Sequence, residues 1–191
     1  MILGMYLTLL SLILSGVANM IFTKTPLYKK YNYPIDCYKT FKGCRILGDN
    51  KTWIGFISMI LFSIIFQILI GICCNMFNIT QYNDFYILYQ NTITYNLLIG
   101  FLIGFAYMIC ELPNSFIKRQ IDIKPGKTVG GLKGITFFVI DQVDSLIGVV
   151  FVLYFFSTID IWKCLLYIGL GALTHVSINL ILFCLKIRRN L

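Results

Sequence analysis

The strongest chemical signal in this sequence is a pair of carboxylates in an otherwise apolar run, Ile140-Asp141-Gln142-Val143-Asp144-Ser145. Acidic side chains in a membrane-type helix are costly and mark a function by default. Spacing of i, i+3 puts Asp141 and Asp144 on one helical face. Two carboxylates there suit a hard divalent cation such as Mg²⁺, which takes oxygen ligands and bridges to substrate phosphates. A helix starting near residue 135 would carry them roughly 9–14 Å from its start, at about 1.5 Å per residue. The same pair can instead hydrogen-bond a neighbouring helix, share a proton or line an ion pathway.

A basic, glycine-rich stretch precedes them: Glu111-Leu-Pro-Asn-Ser115-Phe-Ile-Lys118-Arg119, then Lys124-Pro-Gly-Lys127-Thr-Val-Gly-Gly-Leu-Lys133. Glycine lets a backbone approach a ligand, and Lys and Arg neutralise phosphates. The composition equally fits an anchor on anionic lipid. Gly126-Lys127-Thr128 is not a P-loop, because the glycine required five residues earlier is Ile121. An earlier stretch runs Pro34-Ile-Asp36, then Arg45-Ile-Leu-Gly-Asp49-Asn-Lys51-Thr52-Trp53-Ile-Gly55. Its charges alone could be solvated loop charges, and Trp53 an interfacial anchor. His175 and Asn179 share a helical face, which suits a helix–helix hydrogen bond as well as a ligand. Asn78-Ile-Thr80 matches a glycosylation sequon, a pattern common by chance.

The elements that hold these residues are membrane spans. The chain has 191 residues, 58% hydrophobic and 13% charged, with a mean hydropathy of +0.81. A soluble domain would not carry so few charges. Apolar runs of about 20 residues lie at 2–22, 53–77, 95–113, 135–156 and 161–185. They predict an all-α polytopic protein of five transmembrane helices forming one membrane domain, with polar loops at 23–52 and 114–134. Fifteen of the sixteen Lys and Arg residues fall on alternate connections, Lys163 being the exception. The excess marks the cytoplasmic side, so the N-terminus is expected outside and the C-terminus in the cytoplasm. Lys24, Lys29, Lys30 and the tail residues Lys186, Arg188 and Arg189 read as topological anchors. The net charge of +8 points to anionic lipid or substrate rather than nucleic acid in a chain this apolar. Seven cysteines without CxxC spacing suggest neither disulfides nor zinc, and most read as small buried hydrophobes.

In combination these motifs resemble the CDP-archaeol synthase family, among the CTP-dependent phosphatidate cytidylyltransferases. The resemblance runs in order through Asn19, Pro34-Ile-Asp36, Arg45-Ile-Leu-Gly-Asp-Asn-Lys51-Thr52-Trp53-x-Gly55, Ser115-Phe-x-Lys118-Arg119, Lys124-Pro-Gly126, Asp141-Gln-x-Asp144 and His175-x-x-x-Asn179. The chain departs from the family at Lys42-Gly43-Cys44-Arg45, where Asp-Gly-Arg-Arg is usual, and at Cys110-Glu111, where Gly-Asp is usual. The resemblance implies a five-span enzyme of the cell membrane with its active site facing the cytoplasm. It would join the CMP part of CTP to a lipid phosphate and release pyrophosphate, using Mg²⁺. The substrate implied is archaeal-type di-O-geranylgeranylglyceryl phosphate or a related lipid phosphate, with phosphatidate as the alternative. Asp141, Asp144, Lys118 and Arg119 would be catalytic, and Asp141, Asp144 and Glu111 would hold the metal. Arg45, Lys51, Thr52, Ser115, Lys124, Lys127, Asn19, His175 and Asn179 would bind substrate. The longer Asp-Gly-x-x-Ala-Arg pattern of CDP-alcohol phosphatidyltransferases is absent. A small transporter would need acids near mid-membrane with access from both sides, and a non-catalytic adaptor leaves the paired carboxylates unexplained.

Overall fold

The computed structural model describes residues 1–127 and 130–185. Thr128 and Val129, and the tail with Lys186, Arg188 and Arg189, lie outside the described residues. Among the described residues five helices are long and apolar enough to cross a membrane: α1 (Ile2–Phe22), α3 (Trp53–Met76), α4 (Ile93–Gln120), α5 (Gly131–Phe156) and α6 (Ile161–Cys184). A short helix, α2 (Pro26–Lys30), follows α1. It precedes a two-stranded antiparallel ribbon of β1 (Thr40–Phe41) and β2 (Cys44–Arg45).

Packing follows chain order. α1 lies on α3, α3 on α4, α4 on α5 and α5 on α6, while α6 meets α1 only lightly. Lipid tails are as apolar as leucine, so helices in a bilayer associate by close packing and internal hydrogen bonds. Glycine permits that closeness. A Cβ at Gly100 would lie 2.6 Å from the Ile64 Cα, and one at Gly148 would lie 2.5 Å from the Ala106 carbonyl oxygen. These two positions clamp α4 between α3 and α5. Outward-facing residues such as Leu61, Ile65, Phe151 and Leu173 are apolar and exposed, as lipid contact requires.

Several buried polar groups at the end of the bundle away from Asp141 satisfy one another. Ser11 donates to Gln67 at 2.6 Å, Gln67 donates to Asn96 at 3.2 Å, and Tyr86 donates to Asn96 at 2.7 Å. Asp84 accepts from Tyr167 at 2.6 Å and pairs with Lys163 at 2.7 Å. The one lysine outside the basic connections is therefore neutralised by a buried partner.

Three expectations are corrected. α4 does not stop at Pro113 but continues through Lys118 and Arg119 to Gln120. Proline removes the hydrogen bond to the carbonyl one turn back and crowds that carbonyl, but the helix continues beyond Pro113. The polar loop expected at 114–134 is thus short, and Ser115, Lys118 and Arg119 stand on a helix. Second, α5 begins at Gly131, which carries Asp141 and Asp144 about 15 and 20 Å along it rather than 9–14 Å. Third, Cys74 and Cys164 are buried, but Cys37, Cys73 and Cys184 are exposed.

Candidate active site

Asn19 near the end of α1, Thr52 at the start of α3, Ser115 late in α4, Asp141 in α5 and His175 late in α6 all line one polar cavity of about 610 Å³. Antiparallel neighbours bring these ends together. The connection 23–52 and residues 121–127 close over the same end, adding Lys51, Lys124 and Lys127 to the wall.

The carboxylates meet α4 directly. Asn114 Nδ2 donates to Asp141 Oδ1 and to Asp144 Oδ2, at 2.6 Å each. Lys118, one turn further along α4, is ion-paired with Asp141. Glu111, one turn earlier, pairs with Lys51 from the first connection. Burial pushes the Lys51 ammonium down, but the Glu111 charge and hydrogen bond outweigh it, with Asp144 and Asp141 adding to them. The net shift is upward, so Lys51 stays charged. Two carboxylate oxygens that converge on one nitrogen also fit one small hard cation. Among the described residues no three His, Cys, Asp or Glu side chains form a ready metal cluster. Asp141 and Asp144 are gathered, whereas Glu111 is held by its lysine.

The first connection folds around Asp36. Its carboxylate accepts from Arg45 Nη2 at 2.8 Å, Arg45 Nε at 3.2 Å, and the N–H groups of Leu47, Gly48 and Tyr38 at 2.9, 3.0 and 3.1 Å. Burial works against that charge, but Arg45 and the backbone donors prevail and hold the carboxyl well below the usual carboxylate range. Arg45 also donates to Asp49 at 2.8 Å. Alone among the sequence-predicted site residues, Arg45 is absent from the cavity wall. It shapes the loop that presents the Leu47 carbonyl to Arg119 Nε at 3.1 Å.

Thr52 and Asn19 also have structural partners. Thr52 caps α3 by accepting from the Gly55 N–H at 3.2 Å, and it hydrogen-bonds the Tyr28 hydroxyl at 2.8 Å. Asn19 accepts from Ser58 at 2.6 Å, tying α1 to α3. Asn179 Nδ2 lies 3.4 Å from Gln142 Oε1. Native proteins rarely leave buried polar atoms unpaired. Arg119 Nη1, Asn114 Oδ1 and Asn179 Oδ1 are buried without a hydrogen-bond partner, and all three residues line this cavity. Sequence reasoning missed Asn114 and Gln142. Both sit in quoted motifs, but Asn114 falls just past the apolar run that marks the span, and its contact with α5 has no periodic signature.

A second, apolar groove adjoins the first. It holds about 80 Å³ between α1, α5 and α6, with Leu9, Leu12, Ile178 and Leu182 on its walls. Gly16, Met20, Tyr107, His175 and Asn179 line both spaces. A charged chamber therefore opens beside an oily one.

The CarS-like model, CDP-archaeol synthase, matches residues 4–190. The chain belongs to this family. A CDP-archaeol synthase of Pyrococcus furiosus is 29% identical over 154 residues, 80% of each chain. One of Saccharolobus islandicus is 29% identical over 161 residues, covering 83% of this chain and 81% of the relative. A solved structure of an intramembrane enzyme for archaeal membrane lipids biosynthesis aligns with a TM-score of 0.62 at 18% identity, covering 92% of both chains. At that identity the likeness shows the fold. Membership among the CDP-archaeol synthases makes the chain an enzyme, and its five spans make it a multi-pass membrane protein.

Proposed function

We propose that the protein transfers the cytidylyl group of CTP to an archaeal-type isoprenoid lipid phosphate and releases pyrophosphate. The observation that carries this reading is the junction of the two spaces. A nucleotide triphosphate suits the basic polar cavity and a lipid tail suits the groove, and the lipid's phosphate would lie where they meet, near His175 and Asn179.

The reaction is an in-line displacement. An oxygen of the lipid phosphate forms a bond to the α-phosphorus, and the bond from that phosphorus to the bridging oxygen of pyrophosphate breaks. The attacking oxygen is already anionic, so no side-chain base is needed, and catalysis is positioning and charge stabilisation. Lys118, Arg119 and Lys51 hold phosphate oxygens. Lys124 and Lys127 draw the triphosphate into the cavity, and Ser115 and Thr52 line its floor. Asp141 and Asp144 would hold Mg²⁺, which offsets negative charge on the phosphates. In the structure Lys118 stands on Asp141 and Lys51 on Glu111. Both lysines exchange a carboxylate for a phosphate when the nucleotide binds.

In this reading the single membrane domain has its N-terminus outside and its cavity facing the cytoplasm, an orientation that the one-sided Lys and Arg distribution supports. The test is incorporation of radiolabelled CTP by the purified protein, with isoprenoid ether and acyl ester lipid phosphates, with and without Mg²⁺. Label is expected in the isoprenoid lipid and only with Mg²⁺. No incorporation into either lipid would overturn the reading. Asp141→Asn should remove nearly all activity while leaving the protein inserted.

A further inference from the structure

We infer that Asn114 supplies an oxygen ligand to the divalent cation held by Asp141 and Asp144, through rotation of its side-chain amide. The inference rests on the reading of those two carboxylates as the cation's acidic ligands.

Asn114 is 7% exposed, and the two ends of its amide are unequally treated. Nδ2 bridges Asp141 Oδ1 and Asp144 Oδ2 at 2.6 Å each, while Oδ1 is buried with no partner. With only anions opposite, the nitrogen end is the right one to present. A half-turn about χ2 exchanges the ends in nearly the same volume. Without a cation that rotation would set oxygen against oxygen. With a cation between the helices, three oxygens converge on it and the unpartnered carbonyl gains its partner. Rotation and cation binding are therefore coupled.

Two further observations agree. No third acidic, His or Cys side chain forms a ready cluster with the pair among the described residues, whereas Asn114 is a neutral oxygen donor already in contact with both carboxylates. Two carboxylates and one amide oxygen leave positions open for water and phosphate oxygens, the usual state of bound Mg²⁺. Lys118 stands four residues on, on the same face of α4, already paired with Asp141. One helical face thus carries both the ammonium that pairs with Asp141 and the amide that joins the two carboxylates around a metal.

The experiment is Mn²⁺ titration of the full chain in nanodiscs, read by electron paramagnetic resonance with a non-hydrolysable CTP analogue present. Asn114→Leu should weaken Mn²⁺ binding by at least the roughly tenfold that even an outer partner of a metal site commands. Asn114→Asp should bind at least as tightly as the parent. Asn114→Cys should shift preference from Mn²⁺ towards Cd²⁺ relative to the parent, because a thiolate is a softer ligand. That shift depends on direct ligation and remains readable if the leucine variant does not fold. Unchanged Mn²⁺ affinity in a folded Asn114→Leu, or an unchanged metal preference in Asn114→Cys, would overturn the inference. If Asp141→Asn also bound Mn²⁺ like the parent, the underlying reading of the carboxylates would fall with it.

Discussion

Individual residues in this site do two jobs. Lys51 and Lys118 neutralise carboxylates in the structure and are proposed to take phosphates during turnover. Lys118→Met should lower kcat by about a hundredfold or more, the scale of losing one preorganised charge at a transition state. Steady-state assay at saturating CTP measures it, and a kcat within a few fold of the parent would remove Lys118 from the chemistry. Asp36 has a different task, and its pH behaviour can be signed. Its folded pKa is depressed, so its contribution is complete above the ordinary carboxylate pKa of about 4 and is lost as pH falls further. Hydrogen exchange of residues 34–52 should stay protected at pH 5 in the parent protein. In Asp36→Asn that protection should already be weakened by about 2–3 kcal/mol, the scale of hydrogen bonds to a charged group. Equal protection in the two proteins would mean that Arg45 does not need its partner.

At the scale of elements, the precision of the site depends on how tightly α4 is gripped. The contact of Asn114 and Lys118 with α5 requires the close approach at Gly148, where an added Cβ would meet the Ala106 carbonyl oxygen at 2.5 Å and Cys110 Sγ at 2.7 Å. Gly148→Val should therefore push α5 away and lower stability by about 1–3 kcal/mol, despite valine's better helix propensity. Thermal unfolding in detergent and the CTP assay should fall together, and an unchanged melting temperature would contradict the packing argument. The existence of all five spans was legible in the sequence, because an apolar run of the right length has no other home. Their ends were less legible. Lys118 and Arg119 look like loop residues by composition, yet they extend a helix whose polar end reaches past the apolar run. The Asp36 knot was invisible for another reason. Its five donors come from backbone and side-chain atoms up to twelve residues away, and no local periodicity encodes that. Asp141 and Asp144 were legible because buried charge is rare. Asn114, neutral and beside a proline, carried no such flag.

For the molecule as a whole, charge is segregated by end. The cavity end carries the basic connections, while the far end pairs its single lysine, Lys163, with Asp84 at 2.7 Å. The proposed orientation makes a direct prediction about Cys37, which is exposed in the first connection. A variant retaining Cys37 as its only cysteine should react with a membrane-impermeant maleimide in inside-out vesicles and not in right-side-out ones. Labelling in the opposite sense would invert the topology. The light contact between α6 and α1, with the apolar groove beside it, bears on kinetics. A lipid entering there would keep its tails in the bilayer from arrival to departure, so its encounter with the enzyme takes place in two dimensions. Turnover should then follow the mole fraction of lipid phosphate in the membrane rather than its bulk concentration. Diluting the surface with inert lipid would slow the enzyme, whereas adding water would not.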